Sequence, residues 1–327
     1  MKIAVDAAGG DFQPENPVKG AIQAVNENAH ISVCLVGPEA PVRKELEGLD
    51  YPEDRLTVHD APEIIGMDES PAQAVKTKTR SSIVVGLGMH QKGMVNGFVS
   101  AGNTGALMAA SAFILGRLDG IIRPTIATFF PTIKGQGLMI DAGANLEVKP
   151  EMLFQFGIMG KIFASDIMGI ETPRVGLLNV GEEKEKGSET LKKAHQLLEA
   201  LPSFVGNIEG RDILAGNADV FVCDGITGNI LLKFGESIPE ALQTLLFAAM
   251  KKNQIDGEQK KLVGGLLKEA FAPFDYQAVG GVPFLGVNGI SMVGHGGSSP
   301  EAIKNMIVNA ARMAEIDINK KIITSIA

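Results

Sequence analysis

Five apolar runs of strand length in this chain stop at short turns rich in Gly, Asn, Ser, Thr or carboxylates, after Val5, Val99, Asn179, Cys223 and Val293. Helical patterns follow the turns. Strands separated by helices favour a mostly parallel sheet covered on both faces. The expected class is therefore α/β, a three-layer αβα doubly wound and mostly parallel sheet. Ligands of such sheets bind beyond the carboxyl ends of the strands. The five turns are accordingly the first places to look for chemistry.

The 327 residues, 45% of them hydrophobic, are ample for a large core. No low-complexity stretch or linker divides them, so a single large α/β domain over 1–327 is expected, with a helical extension at about 236–275. Strands are predicted at 2–5, 31–36, 56–59, 97–99, 125–130, 137–140, 174–179, 204–208, 220–223 and 290–293. Helices are predicted at 16–26, 41–46, 70–91, from 104 to near 118, at 150–165, 188–201, 230–252 with a break, 258–271, and from 299 to about 318. The 258–271 pattern sets Leu262, Val263, Leu266, Leu267, Ala270 and Phe271 on one face, with Lys260, Lys261 and Lys268 elsewhere. Gly264 and Gly265 weaken it as an isolated helix. It needs a partner surface: a second subunit first, a membrane surface second.

A net charge of −8 gives no basic face for nucleic acid, and two Tyr without any Trp offer no stacking platform for a single strand. Cys34 and Cys223 both sit in strand-like runs and read as buried core thiols, not a disulfide framework or a zinc site. A cytoplasmic setting is expected. The opening apolar run is far too short for a signal peptide, and none approaches the ~20 residues of a membrane span. Lys76, Lys78 and Arg80 form a basic run on the predicted 70–91 helix, read either as a dock for an acidic carrier or as a solvated face.

The segment 98–108 is the most telling of the five. Ser100, Asn103 and Thr104 supply side-chain hydrogen bonds, and Gly102 and Gly105 admit a group close to the backbone. Helix-start N–H groups and the helix dipole favour an anion there. Neither a Walker loop nor a GxGxxG fingerprint is present, and Ser100 lacks the Gly-x-Ser-x-Gly setting of a nucleophile. The turn with Asp6, Gly9 and Gly10 reads either as a tight capped turn or as a wall of the cleft. Asp141 reads as a partner-orienting carboxylate or a turn-closing residue. Asn179, Gly181, Glu182 and Lys184 belong to a charged loop that is either solvated or brings Lys184 or Lys186 beside a phosphate. Asp224, Thr227, Gly228 and Asn229 repeat the strand, turn and helix logic, with Lys233 one helical turn on. Of the five histidines, His295 among glycines and serines has the best setting for acid, base or oxyanion work. No HExxH or similar spacing appears, so no metal and no cofactor is expected. Without a nucleophile triad, catalysis by positioning two bound substrates is the economical mechanism.

Six separated blocks, in order, resemble the bacterial phosphate acyltransferases of phospholipid synthesis across nearly the whole chain. They are Met1-Lys2-Ile3-Ala4-Val5-Asp6 with Gly9-Gly10-Asp11; 100–108; Gly176-Leu177-Leu178-Asn179-Val180-Gly181-Glu182-Glu183; Gly206-Asn207-Ile208-Glu209-Gly210-Arg211-Asp212; Val222-Cys223-Asp224-Gly225-Ile226-Thr227-Gly228-Asn229; and His295-Gly296-Gly297-Ser298-Ser299. The family usually has Met where Ala8 stands, His where Phe12 stands, Val where Ala142 stands and Phe where Ile226 stands; Phe12 argues against a required imidazole there. The resemblance implies a fold similar to phosphotransacetylases and to isocitrate and isopropylmalate dehydrogenases. The 100–108 block with Arg123-Pro124 is similar to the phosphate-site region of phosphotransacetylases. The implied reaction makes acyl-phosphate from acyl-[acyl-carrier-protein] and inorganic phosphate. Further implied are a homodimer, a peripheral place on the membrane, and a downstream glycerol-3-phosphate acyltransferase there that consumes the product.

On that reading the 100–105 turn holds phosphate, and Asn229, Lys184 or His295 meets the carbonyl oxygen as charge develops. Three rival readings remain: a phosphotransacylase using acyl-CoA, an isopropylmalate-type dehydrogenase, and a non-enzymatic scaffold recruited to membranes through 258–271. The dehydrogenase would need a carboxylate metal cluster and a nicotinamide site, and neither motif is found.

Overall fold

Local alternation makes the strands and helices, but long-range pairing decides which way they point. A computed structural model describes residues 1–274, 277 and 280–326; residue 275, at the end of the predicted extension, lies outside the described residues. In one wing of the sheet, β1 (Lys2–Asp6) pairs parallel with β2 (Ser32–Gly37) and β4 (Gly97–Ser100), β2 with the edge strand β3 (Leu56–Asp60), and β4 with β11 (Ser291–Val293). In the other wing β6 (Gly135–Ile140), β9 (Val220–Val222), β7 (Val175–Leu178) and β8 (Phe204–Ile208) are also parallel. Between the wings, β10 (Val282–Leu285) runs antiparallel to β11 and to β5 (Thr125–Thr132), and β5 antiparallel to β6. The 11-stranded order is β3-β2-β1-β4-β11-β10-β5-β6-β9-β7-β8.

Three successive reversals make the second wing run opposite to the first. The register then brings their carboxyl ends together. Val293 pairs with Val282; two positions down β10, Phe284 pairs with Ile126; one position back up β5, Ala127 pairs with Ile140. Ile140 is thus one ladder step from the level of Val293, three strand spacings away, or about 14 Å. The turns after β4 and β11 face the turns after β6 and β9 across that gap.

Strand alternation feeds both faces. Ile3, Val5, Val33 and Leu35 pack under α1 (Glu15–Glu27) and α11 (Pro300–Glu315), while Ala4, Cys34, Val36 and Phe98 pack under α4 (Ser82–Gln91) and α5 (Thr104–Ala110). The second wing is covered by α6 (Pro150–Asp166), α7 (Glu189–Leu198) and α12 (Ile318–Ile326) on one side and by α8 (Gly210–Ala215) on the other. Short helices α2 (Glu39–Leu46) and α3 (Pro71–Thr77) lie beside the first wing, and α9 (Gly225–Lys252) and α10 (Gly257–Phe271) form the extension. Both cysteines are free and buried.

Several local expectations are corrected. The predicted 70–91 helix is two, because Ser81 caps a new start by accepting the Val84 N–H. Lys78 and Arg80 therefore lie in the intervening turn, not on a helix face. Lys78 bonds the Ile64 carbonyl and Glu69, and Arg80 pairs with Asp60. The segment after the 98–108 turn finishes as a π-turn at Ser111–Leu115. The 188–201 helix stops at Leu198. Helix α9 begins at Gly225, capped by Asp224, earlier than expected, and runs unbroken through Pro239. The last predicted helix ends at Glu315 because Asp317 takes a left-handed conformation, φ 51°, after which α12 starts. Strand β10 was not expected: Pro283 argues against a central strand, yet it is seated in this antiparallel bridge.

His90 joins α4 to the sheet. Its Nδ1 meets the Val95 carbonyl at 3.0 Å, and its Nε2 accepts the Ile290 N–H at 2.7 Å. Accepting at Nε2 requires the neutral ring, and burial pushes its pKa below the ordinary 6.5. The unfolded chain therefore takes up this proton first, so stability is lost as pH falls below about 6.5. His90→Ala is expected to lower stability by about 1–3 kcal/mol at pH 7 and to shrink the acid-side loss, measured by urea unfolding at a series of pH values.

Candidate active site

Strand β1 ends in a buried carboxylate. Asp6 accepts the Ser100 hydroxyl at 2.6 Å and the Ala8 N–H at 3.0 Å, with further bonds from Ser82 and Gly9. Burial raises its pKa above the ordinary carboxyl value, and the four hydrogen bonds oppose that shift. The Ser100 hydroxyl in turn accepts the Gly102 N–H at 3.0 Å. Ser100 is therefore spent inside the wall, tying the β1 turn to the β4 turn. Asn103 is likewise engaged. Its Oδ1 caps α5 by accepting the Ala106 N–H, and its Nδ2 donates to the carbonyls of Gly66, Met67 and Glu69. What faces the cleft is Gly102, Thr104 and Gly105, at a helix start where backbone N–H groups lack helical partners.

The opposing wall is built on Asp141, which follows β6. It accepts the N–H groups of Ala144 and Asn145 and the Asn145 side-chain amide, and burial raises its pKa too. Asn145 then receives the Gly225 N–H on its carbonyl and donates to that of Pro124. Asp224 caps α9 by accepting both the N–H and the hydroxyl of Thr227. At Gly228 an added Cβ would lie 1.8 Å from the Asp141 carbonyl oxygen, so the helix backbone sits directly on the β6 turn. That contact puts Asn229 and Ile226 at the cleft, with Lys233 one turn beyond, its amine 2.8 Å from Glu236. From the first wing comes His295, whose Nδ1 accepts the Gly297 N–H at 3.1 Å. The β1 turn locks to this one through the Asp11 N–H and Gly296 carbonyl, 2.8 Å apart.

The cleft so formed holds about 780 Å³. Of the predicted residues, Gly102, Thr104, Gly105, Asn229 and His295 line it. Asp6, Ser100, Asn103, Asp224, Thr227 and Gly228 brace it from behind, and Gly9 and Gly10 pack on Gly102 and Gly296. Asn179, Gly181, Glu182 and Lys184 are not brought to it. Strand β9 stands between β7 and the cleft, so the loop after β7 opens one strand further out, and none of its residues is in the lining. There Asn179 closes its own loop on the Lys186 carbonyl, Glu182 meets Arg211, and the Lys184 amine is held by Glu199. Arg123 is exposed and outside the lining. Residues not singled out in the sequence also line the cleft, chiefly Ile126, Thr128 and Phe130 on β5 and Met67 and Leu146 at the mouth. The β5 trio shows the period of two as plain strand alternation, which alone does not separate a groove floor from core. Among the described residues no three His, Cys, Asp or Glu side chains group to hold a metal ion.

Two wings meeting over such a cleft define a phosphotransacetylase-like fold: the chain superimposes on a phosphotransacetylase from Streptococcus pyogenes with a TM-score of 0.65 and 18% identity, covering 97% of this chain and 94% of that one. The family model described as fatty acid synthesis protein matches residues 1–321. The phosphate acyltransferase of Salinibacter ruber is 49% identical over 321 residues, 96% of this chain and 94% of the relative. That of Chlorobaculum parvum is 47% identical over 334 residues, 98% of each. The chain belongs to this fatty acid synthesis protein family, that of the phosphate acyltransferases.

Gly228→Ala is expected to cost about 1–3 kcal/mol, because a methyl forces α9 off the β6 turn. Urea unfolding of the folded variant measures it.

Proposed function

We propose that the protein transfers an acyl group from a thioester to inorganic phosphate, with acyl-[acyl-carrier-protein] as the donor. One observation carries this reading: an anion-suited helix start on one wing and Asn229 on the other face a single cleft, which continues into an apolar groove. The Gly102 to Gly105 turn holds the phosphate. A phosphate oxygen attacks the thioester carbonyl carbon, and Asn229 and His295 stabilise the oxygen as it gains charge. The C–S bond then breaks. The departing thiolate takes the proton that the hydrogen phosphate brought, leaving acyl-phosphate and a free thiol. The barrier falls through positioning of the two substrates. Lys184, held outside the lining by Glu199, takes no part in this scheme.

The extension supports the partner readings. Leu242, Leu245, Leu262 and Leu266 are exposed, and α10 buries none of its described residues. A homodimer through this arm is the first reading and peripheral membrane contact the second. No helix among the described residues is long and apolar enough to cross a membrane. Delivery of acyl-phosphate to a glycerol-3-phosphate acyltransferase in the membrane fits a product that is both an amphiphile and a reactive anhydride. The Lys76 region, with Lys78 and Arg80 already paired, offers little as a carrier dock.

Incubation with an acyl-carrier thioester and phosphate is expected to yield acyl-phosphate, detected as phosphate-dependent release of the carrier thiol and as labelled phosphate passing into a lipid-extractable product. Acyl-CoA in parallel separates the donors. An acyl group trapped covalently on the protein would sink direct transfer. Asn229→Ala is expected to lower kcat by roughly 10²–10³-fold. Leu245→Glu combined with Leu262→Glu is expected to convert a dimer to a monomer, read by light scattering; an unchanged mass removes the arm as the contact.

A further inference from the structure

The cleft is longer than phosphate and a thioester require. Along β5 it extends from Ile126 to Pro131, five strand steps or about 17 Å. Along α9 it extends from Gly225 to Gly235, ten helical residues or about 15 Å. Two independent elements give nearly the same length. An extended alkyl chain advances about 1.25 Å per carbon from ordinary C–C geometry, so the groove matches roughly 12–14 carbons. Its lining adds Leu232 and Val282 to Ile126 and Phe130. A pantetheine arm carries amides that need partners when buried; these four side chains provide none, and of the polar residues on this stretch, Thr128, Lys233, Glu236 and Gln136, Lys233 and Glu236 are paired with each other. The hydrocarbon chain of the donor is the occupant that the lining suits.

Its far end is fixed from both sides. Phe130 is buried in a cluster with Met139 and Phe221, so its ring has nowhere to retreat. Opposite it, a Cβ on Gly235 would stand 2.8 Å from two ring carbons. Phe130 thus lies directly on the α9 backbone, and any side chain at 235 would disturb the fit. Past this contact the lining among the described residues continues only to Pro131, Gln136 and Glu236, and Gln136 is exposed near the start of β6.

We propose that β5 is a ruler for the acyl chain, with Thr128 at its middle and the Phe130 and Gly235 contact at its end, so that these residues set chain-length preference. The proposal rests on the acyl-transfer reading above. The test is kcat/KM for octanoyl, dodecanoyl, hexadecanoyl and octadecanoyl thioesters with the intact protein, Thr128→Phe and Phe130→Leu. Thr128→Phe obstructs the groove about 7 Å past Ile126. The hexadecanoyl-to-octanoyl ratio is expected to fall roughly tenfold or more, since several methylenes lose burial. Phe130→Leu opens the end and is expected to raise the octadecanoyl-to-dodecanoyl ratio about threefold or more, from burial of at least one further methylene. This second variant decides the matter if Thr128→Phe does not fold. Ratios unchanged in the folded variants overturn the ruler.

Should the wild-type protein make no acyl-phosphate from any thioester, the acyl-transfer reading falls instead. Calorimetric binding of octanoate, dodecanoate, hexadecanoate and octadecanoate then tests the groove alone. A selective loss of hexadecanoate binding in Thr128→Phe, or in Phe130→Leu a selective gain of octadecanoate over dodecanoate, supports the ruler. Equal effects on the compared acids, or no binding, overturn it.

Discussion

The antiparallel bridge of β10 and β5 is the constraint on which the rest depends. Parallel wings alone would put every strand-end turn on one edge of the sheet, spread over a width that no small ligand spans. Three reversals and a short stagger bring Val293 and Ile140 to nearly the same level. Turns from distant parts of the chain, after β6 and after β11, then share one cavity. The phosphate side and the carbonyl side of the proposed reaction come from different wings, and the bridge strand between them is the floor of the groove.

Two buried carboxylates hold the turns on either side. Among the described residues neither Asp6 nor Asp141 has a cation partner; Asp6 collects hydrogen bonds from its own turn and from Ser100 at the end of β4, and Asp141 from its own turn. Burying a carboxylate is unfavourable unless such donors replace water. Here the donors are the backbone and hydroxyl groups whose placement shapes the cleft. The arrangement works in both directions: the charge fixes the turns, and the turns make the charge tolerable.

Much of the α/β alternation was legible because it is local. Apolar runs end in glycine turns, and Ser188 and Ser299 announce helix starts that the structure contains. Cleft-lining Gly102, Thr104, Asn229 and His295 were legible for the same reason, each lying within a strand-end turn or just after it. The rest depends on tertiary pairing. Strand β10 was hidden by Pro283, and the reversal of the second wing has no local signature. The loop of Asn179 and Lys184 has the same composition as the turns that line the cleft; only the insertion of β9 between β7 and β6 removes it. Ser100 and Asn103 read as ligand-binding side chains, yet their polar atoms are committed to Asp6 and to the 66–69 loop.

Helix α9 starts at the cleft and ends in the exposed arm, so it has the geometry of a lever whose fulcrum is Gly228 on the Asp141 carbonyl. From Gly228 to Lys252 it extends about 36 Å. A tilt of about 5° around that fulcrum would swing the far tip by roughly 3 Å, while Asn229, one residue away, would shift by only about 0.1 Å. Gly235, about 10 Å out, would move by just under 1 Å. Whatever the arm leans on, its motion reaches the groove wall far more strongly than it reaches Asn229.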